Sequence, residues 1–390
     1  MEVADIIRRA GPDFIDRNRR FLTRAHLKVL TAIARCRTAA LGGHVDECTA
    51  CGHRAISFNS CRDRHCPKCQ AGARQRWLAA RQSELLPTRY SHVVFTLPHE
   101  LAPLALQNKK VVYDLLFRTS AETLIEVAAD PRHLGAEIGF VSVLHTWNQK
   151  LEHHPHVHSI VAAGGLSPDH KRWITPRHSF FLPVRVLGAV FRGKFVAGLR
   201  DAYAEGALQF HGMLRPIGRP RMFNELLRQL FRNDWVVYSK RPFGGAEHAL
   251  KYLSGYTHRV AISNHRLISF DNDRVTFRWR DSAHKNKQRL MTLGAGEFVR
   301  RFLLHVLPRR FVRIRHFGFL AHRRKHRLLP ICFQLLSATP ALQDANTMPA
   351  PAAPVSWPCP CCGGPMVVIE RLTALQLRLR SPPIPLTTAA

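Results

Sequence analysis

The sequence predicts an α+β protein: an antiparallel sheet core with flanking helices, preceded by a helical and Cys/His-rich N-terminal region. Two observations carry this. From residue 91 onward, short β-rich runs bounded by turn residues follow the order strand, helix, strand, strand. Upstream of them, five of the ten cysteines fall between Cys48 and Cys69, in turn-rich sequence after a helical stretch. At 390 residues the chain is long enough for two or three domains and at least one sizeable core.

Each element has its own signal. Over residues 1–40, Ile6, Ile7, Phe14, Phe21, Leu22, Leu27, Val29 and Leu30 recur at helical spacing among Arg and Lys. Residues 44–70 read as short turns. AGARQRWLAARQSELLP (71–87) reads as a basic helix stopped at Pro87. SHVVFTLP (91–98) is a strand ended by Pro98, and the next helix runs to about residue 128, with Asp130-Pro131 as its stop. GFVSVLHTW (139–147) and HVHSIVAAGG (156–165) read as two more strands. A helical period returns between Phe191 and Phe210, WVVYSK (235–240) is a strand, and a helix starts near residue 246. VAISNHRLISFDNDRVTFRW reads as two or three strands, with Asp271-Asn272-Asp273 as a hairpin turn. Residues 296–307 resume helix, and 309–327 are intensely basic. Pro/Ala-rich residues 337–358 read as a flexible linker.

Charge is the strongest bulk signal. There are 58 Lys+Arg against 27 Asp+Glu, a net charge of +31. A folded protein so far from neutrality repels itself unless its partner is a polyanion, and DNA or RNA is the expected one. A ribosomal-type or membrane-surface protein would share the charge but not the cysteine pattern. The first residues carry charges among their apolar positions, so they do not read as a signal peptide. No run of about 18 apolar residues exists, so no membrane span is expected. The expected compartment is a reducing cytoplasm, where clustered cysteines imply metal and not disulfides.

Three constellations carry chemistry. The first is Cys48-x2-Cys51 followed, after fourteen residues, by Cys66-x2-Cys69. Two such pairs suit one tetrahedral zinc, and four thiolates leave no open position, so this Zn²⁺ is structural. The intervening loop is one residue shorter than the usual range. Cys61, His53, His65 and His44 lie nearby; they could replace a cysteine ligand or form a second site, but read first as surface or DNA-contacting residues. Cys359 and Cys362, in CPCCGG, resemble half a zinc ribbon, but no partner pair occurs in the 28 residues that follow; a degenerate or a shared site would each account for it, and the pair stays unassigned with Cys361.

The second is His156-Val157-His158. In a strand, residues i and i+2 share a face, so two imidazoles project side by side and can hold a divalent cation, leaving room for substrate oxygens. His145, near the end of the preceding strand, completes a three-ligand site if the two strands pair as a hairpin. His99 is the competing donor, and His153 and His154 are close neighbours in sequence.

The third is Tyr252-x3-Tyr256 in KYLSGYTHR. On a helix the two phenols share a face. Such a pair is more often core, but a phenol can also attack phosphorus and store the bond energy as a phosphodiester. With a pKa near 10 it needs a polarised phosphate or a cationic neighbour, and Lys251, His258 and Arg259 are close in sequence.

With these motifs in view, the sequence resembles the insertion-sequence transposases of the IS-ninety-one family, two-tyrosine HUH enzymes of the rolling-circle type. SCRDRHCPKCQ, HVVFTLPHEL, LHTWNQ, HPHVHSIVAAGG, KYLSGYTHRVAISNHRL and EFVRRFLLHVLPRRFVRIRHFGFLA carry the resemblance, over about residues 44–325. It implies an HUH endonuclease-like core, with His156 and His158 binding Mg²⁺ or Mn²⁺. Tyr252 and Tyr256 would be the nucleophiles, and the N-terminal cysteines a zinc-binding domain. The implied activity is cleavage and rejoining of single-stranded DNA through a 5′-phosphotyrosine. The third metal ligand is not fixed by the motif, and His145 is inferred from the strand pairing.

Expected organisation follows: a helical segment (1–43), a zinc-binding domain (44–87), a catalytic domain with a basic DNA-binding end (88–335), a linker (337–358) and a tail (359–390). Between Phe298 and Gln343 there are ten Lys/Arg and no acid. Arg309, Arg310, Arg313, Arg315, Arg323, Arg324 and Lys325 are the expected phosphate contacts. His316, Phe317 and Phe319 could stack on unpaired bases, although aromatics with apolar neighbours more often pack. A plasmid replication initiator or relaxase would use the same chemistry. A non-catalytic zinc DNA-binding regulator would bind DNA without needing Tyr252 or Tyr256. A zinc hydrolase would need a general-base motif such as HExxH, which is missing.

Overall fold

The computed structural model describes residues 1–177, 180–239, 245, 248, 260–281, 284–337 and 357–379. In chain order the elements are α1 (Val3–Asn18), α2 (Arg24–Arg35), β1 (Gly43–Cys48), β2 (Arg54–Phe58), α3 (Pro67–Gln82), β3 (Tyr90–Thr96), α4 (Ala102–Gln107), α5 (Lys109–Ala129), β4 (Gly139–Trp147) and β5 (His153–Ala162). Then come β6 (Gly165–Leu166), β7 (Trp173–Ile174), α6 (Val184–Ala204), α7 (Pro220–Arg232), β8 (Val237–Ser239), β9 (Leu267–Asp271), β10 (Arg274–Asp281) and β11 (Lys287–Gly294). The last are α8 (Ala295–Leu304), β12 (Ile314–Gly318), α9 (His322–Ser337), β13 (Met366–Leu372) and α10 (Ala374–Leu379). The α+β expectation holds, with antiparallel sheets throughout.

The chain forms two compact units, each discontinuous in sequence. One contains Met1–Ala73, Ile262–Val306 and Pro349–Ala390; the other contains Arg74–Ala261 and Leu307–Met348. The sequence suggests contiguous segments instead. The difference arises because β9–β11 and the tail find their packing partners near the N-terminus.

In the first unit the long helical signal is split. α1 ends at Asn18, and α2 restarts behind Thr23, whose hydroxyl accepts from His26 N–H (3.3 Å) as an N-cap. Val3, Ile6, Ile7 and Phe14 of α1 and Val29, Leu30 and Ile33 of α2 are buried, the apolar stripes expected of an antiparallel pair. β9, β10 and β11 form a sheet whose Phe277 meets Phe298 of α8 edge-on at 6.1 Å. The β9–β10 turn is Asn272-Asp273, both at positive φ (47° and 55°), as a two-residue hairpin requires. A second sheet has the order β13-β1-β2. The sequence suggests only turns over residues 44–70; β1 and β2 escape notice because they are short and interrupted by cysteine turns.

In the second unit, five strands form one sheet in the order β12-β4-β5-β3-β8. Alternation sorts its side chains. Phe95, Val157, Val161, Phe140 and Leu144 face a core shared with Leu116, Phe117 and Leu124 of α5 and Phe191 and Phe195 of α6. On the other face, Ile160 and Ala162 pack with Phe319 and with Leu328, Leu329, Cys332 and Leu336 of α9. Gly139 permits this: a Cβ there would lie 2.3 Å from the Phe319 ring. Edge strand β12, built from IRHFG, hides inside the segment that reads as merely basic.

Candidate metal centre and nucleic-acid site

β5 lies centrally, between β4 and β3. Its register puts His156 opposite His145 of β4 and opposite Thr96 of β3, with His158 opposite Val143 and Val94. His156, His158 and His145 therefore project from one face of the sheet. Their ligand nitrogens all lie within 4.8 Å of one another. The rings of His145 and His158 are 4.4 Å apart, and those of His156 and His158 4.8 Å. The hairpin that brings in His145 is the one expected.

Neighbours fix the rings. His156 Nδ1–H donates to the His154 carbonyl at 2.7 Å, which leaves Nε2 to offer its lone pair. His158 Nδ1 lies 2.8 Å from His92 Nε2, and the two rings stack 5.0 Å apart and 6° from parallel. Trp147 stacks on His145 at 4.3 Å. Burial pulls the His156 pKa down to about 4. Burial, helped by charge on His145, His156 and His92, holds that of His158 well below its ordinary value. Neutral imidazoles are the form that binds metal.

His99 does not belong to this group: it points outward, 91% exposed, beside Glu100 at 3.3 Å. His153 turns to the opposite face, where its Nε2 hydrogen-bonds with the Tyr113 hydroxyl at 2.7 Å. Sequence reasoning misses His92. A lone histidine in an apolar strand carries no pattern, and only the β3–β5 register brings it to His158. Tyr252 and Tyr256 lie outside the described residues.

The cysteines require a correction. Cys48 and Cys51 do not join Cys66 and Cys69 in one site. Cys66 and Cys69 group with Cys36 and Cys61, and Cys48 and Cys51 group with Cys359 and Cys362. In the first group, Cys36 Sγ is 3.5 Å from Cys69 Sγ and 3.7 Å from Cys66 Sγ, while Cys61 and Cys69 are 3.6 Å apart. Four sulfurs about 2.3 Å from a tetrahedral zinc stand about 3.8 Å apart, so the set fits the ion. Spacing misleads because Cys36 caps α2 and Cys61 sits alone in its loop; neither belongs to a C-x-x-C pair.

The basic segment divides. Arg309, Arg310 and Arg323 are exposed. Arg313 is buried, at 7% exposure. Arg315 pairs with Asp114 and lies over the Phe117 ring at 4.3 Å. Arg324 pairs with Glu137 at 2.7 Å and Lys325 with Glu84 at 2.6 Å. Phe317 stacks on Phe140 at 5.2 Å and Phe319 is fully buried, so these rings are core and not platforms for bases. The exposed β10–β11 hairpin carries Arg274, Arg278, Arg280, Lys285, Lys287 and Arg289, a basic surface that no run of cations in the sequence announces.

Comparison with known proteins places this architecture in a class. Residues 6–97 match the family model described as "Transposase zinc-binding domain", and residues 139–327 match the one described as "Putative transposase". The chain is 50% identical over 386 residues to "Putative transposase y4qJ" of Sinorhizobium fredii, covering 95% of each chain. It is 27% identical over 363 residues to the transposase for insertion sequence element IS801 of Pseudomonas savastanoi pv. phaseolicola, covering 90% of this chain and 85% of that one. Two solved structures of the conjugative relaxase TrwC with oriT DNA, one metal-bound and one copper-bound, align at 12% identity with TM-scores of 0.24 and 0.23. They cover 42% of this chain and 69% and 68% of theirs, a likeness too weak to carry any inference. The protein is thus a transposase with a zinc-binding N-terminal region. It belongs to the IS-ninety-one family of insertion-sequence transposases. No helix among the described residues is long and apolar enough to cross a membrane.

Proposed function

We propose that the protein cleaves and rejoins single-stranded DNA at the ends of its insertion sequence, through a 5′-phosphotyrosine intermediate. One observation carries the reading: His145, His156 and His158 converge on one face of the central sheet, with ring nitrogens directed by neighbouring acceptors, in a chain of this transposase family. Three imidazoles form a donor set that suits a transition-type divalent ion such as Mn²⁺ better than Mg²⁺, which prefers oxygen. When bound, the ion supplies charge stabilisation at the scissile phosphate.

The phenol oxygen of Tyr252 or Tyr256 attacks phosphorus and loses its proton. The phosphorus–O3′ bond breaks, and the departing 3′ oxygen takes up a proton. Attack by a 3′-OH on the phosphotyrosine reverses these changes, so rejoining needs no ATP. The second tyrosine holds another strand end. Cys36, Cys61, Cys66 and Cys69 hold a structural zinc. Arg309, Arg310, Arg323 and the β10–β11 hairpin contact phosphates on the bacterial nucleoid.

The test is cleavage of labelled element-end oligonucleotides, single-stranded and duplex, with and without Mn²⁺. Wild type is expected to cut the single strand only when Mn²⁺ is present. His156→Ala and His158→Ala should retain DNA binding and lose cutting. Equal cutting by both variants would refute the assigned site.

A further inference from the structure

The strand transfer proposed above does not use Cys48, Cys51, Cys359 or Cys362, and the last two lie beyond both family matches. We propose that these four thiolates hold a second structural zinc, which fastens the C-terminal tail to the N-terminal sheet. The zinc-binding region is then completed only by the last segment of the chain.

The two halves are matched. Each is a C-x-x-C-G turn, Cys48–Gly52 and Cys359–Gly363. In each, the glycine N–H returns to the first cysteine's carbonyl (Gly52 to Cys48, 3.0 Å; Gly363 to Cys359, 2.8 Å). Both glycines sit at positive φ, 70° and 75°, where other residues are strained. Backbone N–H groups point at the sulfurs: Ala50 at Cys48, Cys361 at Cys359 and Gly364 at Cys362, each at 3.4 Å. Such donors stabilise thiolates. Across the site, Cys48 Sγ lies 3.5 Å from Cys362 Sγ, and Cys51 Sγ 3.7 Å from Cys359 Sγ. These separations suit a tetrahedron of thiolates about 2.3 Å from zinc. At Gly364 an added Cβ would come within 2.9 Å of Ala50 and 3.3 Å of two of the sulfurs.

The tail otherwise has little to hold it. β13 pairs with β1 from Gly43↔Leu372 to Cys48↔Met366, yet its Val367, Val368 and Ile369 are 44–53% exposed. α10 buries no residue. Segments with so little apolar burial need a metal or a disulfide to stay in place, and none of the ten cysteines is paired.

The experiment is a zinc count on the purified full chain by mass spectrometry. Wild type and Cys361→Ser are expected to hold two zinc ions, because Cys361 stands outside both groups. Cys359→Ser with Cys362→Ser should hold one, and so should Cys61→Ser with Cys66→Ser. A readout on the unaltered chain avoids dependence on folding of the variants: native alkylation should modify Cys361 at once, and Cys359 and Cys362 only after a chelator. A wild-type count of one, or immediate alkylation of Cys359 and Cys362, would overturn the proposal. So would a disulfide between the two halves. The proposal stands or falls independently of cleavage by Tyr252 or Tyr256.

Discussion

At the scale of single residues, the metal centre depends on side chains that never touch the metal. With His158 Nδ1 directed at His92, a substitution His92→Phe leaves all three ligands in place but releases the His158 ring. We expect Mn²⁺ affinity to fall roughly 10–100-fold, read by calorimetric titration; unchanged affinity would remove His92 from the site. His153, on the opposite face, carries a pH prediction. Burial, with Lys109 nearby, lowers its folded-state pKa to about 4, against an ordinary value of 6.5. Between those values the unfolded chain takes up a proton that the folded chain refuses. Stability therefore falls as pH drops through this window, by at most about 3 kcal/mol from this group. His153→Gln keeps a hydrogen-bonding partner for Tyr113 and cannot titrate, so its unfolding midpoint should vary less between pH 6.5 and 4. The His156/His158 pair is legible because strand period alone puts both on one face. His145 needs a hairpin that strand order suggests. His92 needs the register of a third strand, which no local pattern encodes.

At the scale of elements, what the basic segment does depends on where it turns into sheet. β12 pairs with β4, so Arg313 is buried and Arg315 is drawn to Asp114. Composition reports ten cations but cannot say which of them meet acids from α5, or from the segments that hold Glu84 and Glu137. The exposed Arg309, Arg310 and Arg323 should behave differently from the paired cations. Arg309→Ala with Arg310→Ala is expected to weaken binding to single-stranded DNA and to lower the salt slope by about 0.7 for each phosphate no longer neutralised. Fluorescence anisotropy over a salt series would show it. Arg324→Ala should instead lower thermal stability and leave the slope nearly unchanged, since it leaves the Glu137 carboxylate with only His170, at 3.2 Å, beside it among the described residues. The β4 start offers a packing test. Gly139→Ala drives a methyl into Phe319, and a loss of roughly 1–3 kcal/mol is expected in denaturant unfolding. A neutral outcome would mean that the ring can move aside.

At the scale of the whole molecule, the α+β class, the central strands and the presence of metal-binding cysteines are legible in the sequence. The way distant segments combine is not. Cys48 and Cys51 find their partners more than three hundred residues away, at Cys359 and Cys362, and β9–β11 pack with α1 and α8. Spacing rules assume that ligands lie close in sequence, so they join the two nearest C-x-x-C pairs into one site. A net charge of +31 is spread over both units, consistent with a polyanionic partner for each.

The central claim is covalent strand transfer by Tyr252 or Tyr256, and the most direct test is the adduct itself. Purified protein would be incubated with labelled single-stranded element ends and Mn²⁺, then resolved on a denaturing gel and digested for peptide mass mapping. The account predicts a slow-migrating species that requires Mn²⁺. It should map to the peptide containing Tyr252 and Tyr256, and it should vanish in the double Tyr252→Phe, Tyr256→Phe variant. Undiminished adduct in that variant, or DNA binding with no adduct from wild type, would contradict it.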